Sequence, residues 1–496
     1  MDTHKLPEAI APTRRTRAES AKPPNTLTEA IAPTRRPRAE SVEPSNATPM
    51  LHALTEAIAR ARPARAESVE HSSATPMLHT LFQVLPGNVY VPFLVKSGRL
   101  IELLQTSKCT RAALATIYPK IPVSLALSTP YKTFTDIEDG LQRFSRLDIV
   151  SIVSLDMGAC EGDCHPPMKD SNFEGLATAL CTHTRLAALK LYRNDLTHIS
   201  TSNLTRVLVS CTGISELNLG GNPLCDAGAR GLSLVLGQMT GLRILVMDQC
   251  CLSHDARESL AAPGALPLCS SLSVLSLNDN RMGRSVIRRF LQEAHKWPEL
   301  TVFRMGRNGG GTASSGDYLE ELGHFSNLEH LDFQRHHFSP FQVAMLGEQL
   351  WERTTLTKLY LGSIMIRDAF EYFDAAISSC IHLQELDISG NSIGSKGVKF
   401  FTDGLCECTE LVKLDICANG QIDTAAEDSL VEMFTQCCTR LMALNIRGLG
   451  ASQDACEKIE SGMIQRAHRS DKKCIAVANN NYYFTDASDP EDSDSD

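Results

Sequence analysis

One pattern constrains this chain more than any other. Leu383 to Gly394 reads LQELDISGNSIG, with Leu383, Leu386, Ile388, Asn391 and Ile393 at fixed offsets. Leu386 and Ile388 flank Asp387, so on an extended strand the two apolar side chains face one side and the carboxylate the other. Asn391 follows where the chain must leave the strand. The same spacing begins again at Ile152, Leu186, Ile214, Leu242, Leu272, Leu300, Leu328, Leu356, Leu411 and Leu441, at intervals of 27 to 34 residues. Both inward strand positions are apolar in all eleven copies, from Leu155/Met157 to Leu444/Ile446. A period of this length describes units that cannot bury their apolar faces alone and stack on their neighbours to do so. A weaker twelfth copy, Val123 to Leu127, precedes them.

The segments between strands carry a second period. In GNSIGSKGVKFFTDGLCECTE, Val398, Phe401 and Leu405 recur at three- to four-residue spacing, which predicts an amphipathic helix. The strand pattern resembles the leucine-rich repeat, and the period near 28 with a helix in each unit resembles its ribonuclease-inhibitor type. That resemblance implies an α/β fold: a right-handed solenoid, or horseshoe, of 11–12 repeats, with a parallel sheet on the concave face and helices on the convex one. Asn194, Asn222, Asn280, Asn308, Asn391 and Asn419 fill the asparagine position, where a buried amide satisfies backbone groups as the chain turns. Cys160 and Cys250 substitute for it, while His336, Ile364 and Leu449 depart from it and predict weaker turns.

The 17 cysteines do not read as a disulfide framework. Cys211, Cys269, Cys380, Cys408 and Cys438 each stand three residues before a repeat start, where other copies carry Met239, Trp297 and Phe325. That column is core, and a free thiol there behaves as a small hydrophobe. A formal net charge of −10 excludes a generally basic nucleic-acid binder. No apolar run reaches the roughly 18 residues of a membrane span, and the first residues lack the apolar core of a signal peptide. A cytoplasmic or nuclear location is the expectation.

Residues 1–80 repeat differently: LPEAIAPTRRTRAES, LTEAIAPTRRPRAES and LTEAIARARPARAES are near copies, rich in proline, alanine and charge. This composition predicts a disordered tail. Each copy ends with a serine three residues after an arginine, so Ser20, Ser41 and Ser68 are candidate sites for basophilic kinases, against a plain duplicated linker. Residues 81–118 follow. Leu85-Pro86, the apolar Phe93, Leu94, Leu100 and Leu103, and a polar stretch ending at Arg111 resemble an F-box. That resemblance implies docking on the Skp-type adaptor of a cullin ubiquitin ligase. The alternative is a helical cap shielding the first repeat of a solenoid spanning residues 119–470. Residues 471–496 form an acidic tail around Ser488, Ser493 and Ser495, after a final strand near Cys474–Val477.

Function then rests on the outward strand positions. Across the copies they read Asp156, Lys190, Asn218, Val246, Ser276, Arg304, Asp332, Tyr360, Asp387, Asp415 and Asn445. Arg304 with Arg307 and Arg335 forms a basic patch, and Tyr360 adds an aromatic anchor. Asp387 opposes Asp415, a destabilising like-charge pair with nothing in its column to neutralise it, although Lys413 lies two residues before Asp415. Asp387 reads as dispensable for the fold. The chain contains no phosphate loop, nucleophile elbow or metalloprotease motif, and Cys160, Cys164 and His165 alone are too few for a zinc site. Arg193 in Arg-Asn-Asp invites comparison with Ran GTPase-activating proteins, which share the repeat class. The reading is a non-enzymatic protein-binding module without cofactor or metal, either an F-box-type substrate receptor or a scaffold or inhibitor with no ligase link.

Overall fold

The computed structural model describes residues 121–126, 150–158, 167–255, 259–309, 318–351, 353–470 and 475–477. All lie within one unit of the chain, Leu54–Asp496. The N-terminal tail with its three serines, the F-box-like segment, the loop holding Cys160 and the acidic tail lie outside these residues.

Strand follows strand in chain order. A parallel sheet of 13 strands runs from β1 to β13 without a crossover. The first two strands are β1 (Ile121–Ala126) and β2 (Val150–Asp156), paired from Ile121↔Val150 to Ala126↔Asp156. The weak twelfth copy is therefore a strand of the sheet. The following strands are three residues long: β3 (Ala188–Lys190), β4 (Glu216–Asn218), β5 (Ile244–Val246), β6 (Val274–Ser276) and β7 (Val302–Arg304). They continue as β8 (His330–Asp332), β9 (Lys358–Tyr360), β10 (Glu385–Asp387), β11 (Lys413–Asp415) and β12 (Ala443–Asn445), and β13 (Ile475–Val477) closes the series. The sequence register holds throughout, with Leu386 against Leu359 and Leu414, and Leu331 against Phe303. Shortness follows from the sequence: from β3 to β12 each strand ends just before the turn that holds the asparagine position.

The inward leucines bury fully, and the packing behind them comes from helices. These are α1 (Asp170–Leu180), α2 (Thr201–Ser210), α3 (Cys225–Leu236), α4 (Gly283–Gln292), α5 (Pro340–Leu350), α6 (Asp374–Ser379), α7 (Gly394–Leu405), α8 (Thr424–Glu432) and α9 (Gln453–Ser470). In α7 the predicted stripe of Val398, Phe401 and Leu405 is buried. Ser339 starts α5 with a reciprocal cap, its hydroxyl taking the Gln342 N–H while the Gln342 side chain takes the Ser339 N–H, and Pro340 occupies the first turn.

The expectation of a full helix in every repeat fails at three places. After β5 the connection contains Pro263, Gly264 and Pro267, and among its described residues the helical pieces are 3-10, at 254–255 and Leu266–Leu268. After β7 it runs through a glycine-rich stretch to a 3-10 segment, Tyr318–His324. After β9, Arg367–Tyr372 is 3-10 before the short α6, for which the sequence offers no comparable breaker.

Two ladders of buried hydrogen bonds hold the stack. In the first, the asparagine amide donates backwards and within its own turn: Asn222 Nδ2 reaches Leu191 O and Leu219 O, both at 2.8 Å. Asn391 repeats this at Leu361 O (2.8 Å) and Ile388 O (2.9 Å) while its Oδ1 accepts from Ile364 N at 2.9 Å and Ile366 N at 3.3 Å. Cys250 keeps the backward bond through its thiol to Leu219 O. His336 keeps it through Nε2, 2.8 Å from Met305 O, packed against Phe333 and Phe338, so it is a structural substitute at that turn. Burial pushes its pKa down to about 4, which holds the ring neutral with its proton on Nε2.

The second ladder lies in the cysteine column. Cys211, Cys269, Cys380, Cys408 and Cys438 are fully buried, as the sequence implied. They are also donors. Cys269 Sγ reaches Leu236 O at 3.0 Å, Cys408 Sγ reaches Ile377 O at 3.3 Å, and Trp297 Nε1, in the same column, reaches Leu266 O at 3.2 Å. Each bond links one repeat to the helix end of the repeat before it. Burial raises the pKa of Cys211 to about 11 and of Cys269, Cys380 and Cys408 to about 12, so these thiols stay protonated and inert.

One disulfide departs from the sequence reading. Cys406 and Cys437 are bonded, with Cα atoms 4.8 Å apart and a sequence separation of 31. A π-helical turn at Met433–Cys437 ends the preceding helix. Cys406 and Cys437 stand at different offsets in their repeats, five and four residues before the next start, so register alone hides the pair.

Candidate functional site

At six strands the outward end residue binds its own turn. Asp156, Asn218, Asp332, Asp387, Asp415 and Asn445 all turn a side-chain oxygen onto the backbone N–H two residues on. For Asp387 this is Ser389 N at 2.8 Å, and for Asp415 it is Cys417 N at 3.0 Å. Aspartate and asparagine suit this bond because the short side chain reaches its own turn. Asp387 is therefore part of the scaffold, contrary to the sequence reading.

The second oxygens of these carboxylates are bridged by amides. Asn278 Nδ2 reaches Asp332 Oδ2 at 2.7 Å, and Gln334 Nε2 reaches Asp387 Oδ2 at 2.8 Å. Both bridges span two strands, and the repeat between carries glycine at the matching position. A Cβ at Gly306 would lie 2.4 Å from Asp332 Oδ1, and one at Gly362 would lie 3.1 Å from Asp387 Oδ1. The missing side chains give the carboxylates their space. Asn445 Nδ2 serves Asp415 at 2.9 Å, and Asp248 takes Ser276 Oγ and Asn278 N, both at 2.7 Å. Asparagine and glutamine thus hydrogen-bond the carboxylates that the strand column left opposed, in space that glycine leaves free, and Lys413, exposed on β11, bonds neither carboxylate.

Burial and Asp415, opposite it in the sheet, still act on Asp387, whose pKa is pushed up to about 7. Asp332, 4% exposed, is shifted upward by burial against the lowering pull of the Gln334 N–H, Arg304 and Asn278. Directly beside them is a mixed cluster. Lys358 Nζ and Glu385 Oε1 pair at 2.6 Å, and the Tyr360 hydroxyl donates to Glu385 Oε2 at 2.5 Å. The His330 ring stands edge-on to Tyr360, centroids 5.0 Å apart. Burial, then the Arg304 and Lys358 charges, hold His330 neutral down to about pH 3.

Of the residues expected to meet a partner, Arg304, Tyr360, Asp387 and Asp415 share one outward column across β7, β9, β10 and β11. Arg304 directly opposes Asp332, as the register implied. Arg307 and Arg335 lie in the turns after β7 and β8, at left-handed φ of 55° and 56°. Every described turn has a left-handed residue just before the asparagine position, so those arginines hold a strained backbone while their guanidinium groups reach outward. Arg307 is 3.5 Å from Asp279, and Arg335 is exposed. Arg193 sits at the same kind of turn, with φ of 54°. The second outward column, with His330, Lys358 and Glu385, and the amide bridges were missed in the sequence. Their signal is weak: one residue before each inward leucine, and glycine alternating with amide at Asn278, Gly306, Gln334 and Gly362.

Among the described residues no group of three or more histidine, cysteine or acidic side chains is placed to hold a metal ion. No described helix is long and apolar enough to cross a membrane.

A family profile described as Leucine Rich repeat matches residues 379–401. Human NACHT, LRR and PYD domains-containing protein 5 is 26% identical over 53% of this chain and 22% of its own length. Pig ribonuclease inhibitor is 26% identical over 47% of this chain and 51% of its own. Mouse Tonsoku-like protein is 25% identical over 50% and 18%. The chain spans about a fifth to a half of these curated relatives. A solved Listeria monocytogenes internalin is 16% identical, with a TM-score of 0.41, covering 78% of this chain and 95% of that one.

Proposed function

The chain is built of leucine-rich repeats, and we propose that it is a non-enzymatic interaction scaffold that takes a protein partner on the outward face of β7 to β11. The observation that carries this is the carboxylate row. Asp387 and Asp415 are fixed by backbone and amide donors, adjoin the Lys358–Glu385–Tyr360 cluster, and form no ion pair among the described residues. A partner bearing a basic side chain meets two acceptors already in place, so binding costs little ordering entropy. Arg307 and Arg335 then address acidic groups of the same partner.

A crosslinking screen identifies the partner, and Arg335→Glu tests the face. Arg335 is exposed, so its reversal leaves the carboxylate network intact. Affinity is expected to fall roughly 10-fold or more with Arg335→Glu and with Asp387→Lys. Unchanged affinity in both, with the fold verified by circular dichroism, places the interface elsewhere.

A finer reading concerns residues 81–118. Leu85, Pro86, Phe93, Leu94, Leu100 and Leu103 stand immediately before the array, where F-box proteins carry their adaptor segment, and this supports a substrate receptor of a cullin-type ligase. Capture of a Skp-type adaptor by the wild-type chain and its loss in a Leu85→Ala/Pro86→Ala variant is the expected result. Equal behaviour of the two chains leaves residues 81–118 as a cap.

A further inference from the structure

Two cysteines stand apart from both ladders. Cys225 begins α3 and Cys251 lies in the turn after β5, and both are exposed with free thiols. The Cys225 thiol reaches Pro223 O at 3.5 Å and lies near enough to Cys251 to feel its charge. The segments that carry them are tied on either side. Cys225 N–H donates to Cys250 O at 3.0 Å, and Asp226 accepts Ser253 N at 2.9 Å and Ser253 Oγ at 2.5 Å. The two residues are thus held on neighbouring turns by bonds that do not involve their thiols.

Both residues also occupy backbone that suits another residue type. Cys225 has φ of 55° and Cys251 of 57°. Counted from the repeat start, Cys225 takes the place of Gly283 and Gly394, and Cys251 that of Gly450 and Ser392, all left-handed as well. A side chain there crowds the following carbonyl, a strain that glycine avoids. Neither thiol fills the core, and neither replaces an asparagine. Strained, solvent-facing and paired across adjacent repeats, they have no role in the stack.

We infer that Cys225 and Cys251 form a reversible disulfide by exchange with a low-molecular-weight disulfide, a second covalent staple beside Cys406–Cys437. One thiolate attacks a sulfur of the small disulfide and expels a small thiol. The second cysteine then displaces the small thiol that remains in the mixed disulfide. The protein pair loses two electrons and two protons, and the small disulfide gains them as two thiols. Burial, Cys251 and Asp226 hold the Cys225 thiol above its ordinary pKa. Cys250, fully buried and bonded to Leu219 O, stays reduced. The bond joins the start of α3 to the exit turn of the next strand and encloses β5.

The test uses the full chain, incubated with oxidised glutathione, alkylated under denaturing conditions and mapped by non-reducing peptide mass spectrometry. A cross-linked peptide joining Cys225 to Cys251 is expected, with simultaneous loss of alkylation at both sites. Dithiothreitol should reverse it, and Cys225→Ser or Cys251→Ser should each abolish it. Oxidation should raise the thermal midpoint of the wild type and of neither variant. The inference is overturned if both cysteines remain alkylatable, if each carries glutathione separately, or if Cys251 is found joined to Cys250. The wild-type map decides the matter even where a variant folds poorly.

Discussion

Asn391→Ala is expected to lower the unfolding free energy by about 3–5 kcal/mol, among the largest effects available to a single side chain here. Asn391 is fully buried. Its amide donates to Leu361 O and Ile388 O and accepts from Ile364 N and Ile366 N. Alanine strands Leu361 O, Ile364 N and Ile366 N away from water, each at about 1–3 kcal/mol before relaxation, while Ile388 O keeps the Asn419 amide at 2.9 Å. The neighbours cannot compensate. Ile364, at the same position of the preceding repeat, has no polar side chain, so the ladder is already broken one turn away. Repeat arrays do not always unfold as one unit, so the readout is local. Amide hydrogen exchange at Ile364 and Ile366 should accelerate by two orders of magnitude or more. Asn327→Ala, an exposed asparagine whose amide is 3.4 Å from Pro298 O, should stay within about 0.5 kcal/mol of wild type. A loss below about 1 kcal/mol at Asn391 would mean that the amide ladder does not hold the stack.

That ladder was the most legible feature of the sequence, because a buried amide at a fixed offset advertises its own geometry. Strand order, register and inward residues followed from the same period. The helices were less legible. Pro263 and Pro267 mark one interruption plainly, whereas the 3-10 segment Arg367–Tyr372 has no local signal. The cysteine column shows a different limit. Position revealed that Cys269 and Cys408 are buried, but the carbonyls they meet belong to helix ends one repeat away. The Cys406–Cys437 pair fell outside the period altogether, since a π-helical turn shifts one partner.

On the sheet face the sequence located residues better than it assigned their roles. Arg304, Tyr360, Asp387 and Asp415 do share a column, as one strand spacing between neighbours requires. What a strand pattern cannot express is contact two strands away. Asn278 reaches Asp332 and Gln334 reaches Asp387 only because Gly306 and Gly362 lie between. Tyr360, read as a free anchor, is already committed to Glu385. The basic and acidic patches are accordingly the ends of one connected polar surface.

Asp387→Asn should therefore stabilise the protein, and only above acidic pH. The asparagine carbonyl can keep the Ser389 N–H, and Gln334 can rotate its amide to accept from the new one. What is lost is a charge. Asp387 ordinarily titrates near 3.8, and in the folded protein burial and Asp415 push this to about 7. A raised carboxyl pKa means that the folded state holds its proton longer than the unfolded chain. Below about pH 3.8 both states are protonated and Asp387 contributes nothing to the balance. As pH rises towards 7 the unfolded chain gains by ionising while the folded chain does not, so stability falls, and above 7 the full deficit remains. That shift converts to about 4 kcal/mol, and partial exposure reduces the deficit to about 2–3 kcal/mol. Denaturant unfolding of wild type and variant should then coincide near pH 4 and diverge by that amount at pH 8. Of the groups near Asp387, Glu385 is lowered by Lys358 and Tyr360 against its burial, and His330 is held neutral to about pH 3; Asp332, raised by burial as well, is present in both proteins and drops out of the difference. Parallel curves across pH 4–8 would show that Asp387 is ionised throughout. A cation delivered by a partner would relieve the same deficit, so partner affinity should rise with pH over the interval in which the two curves separate.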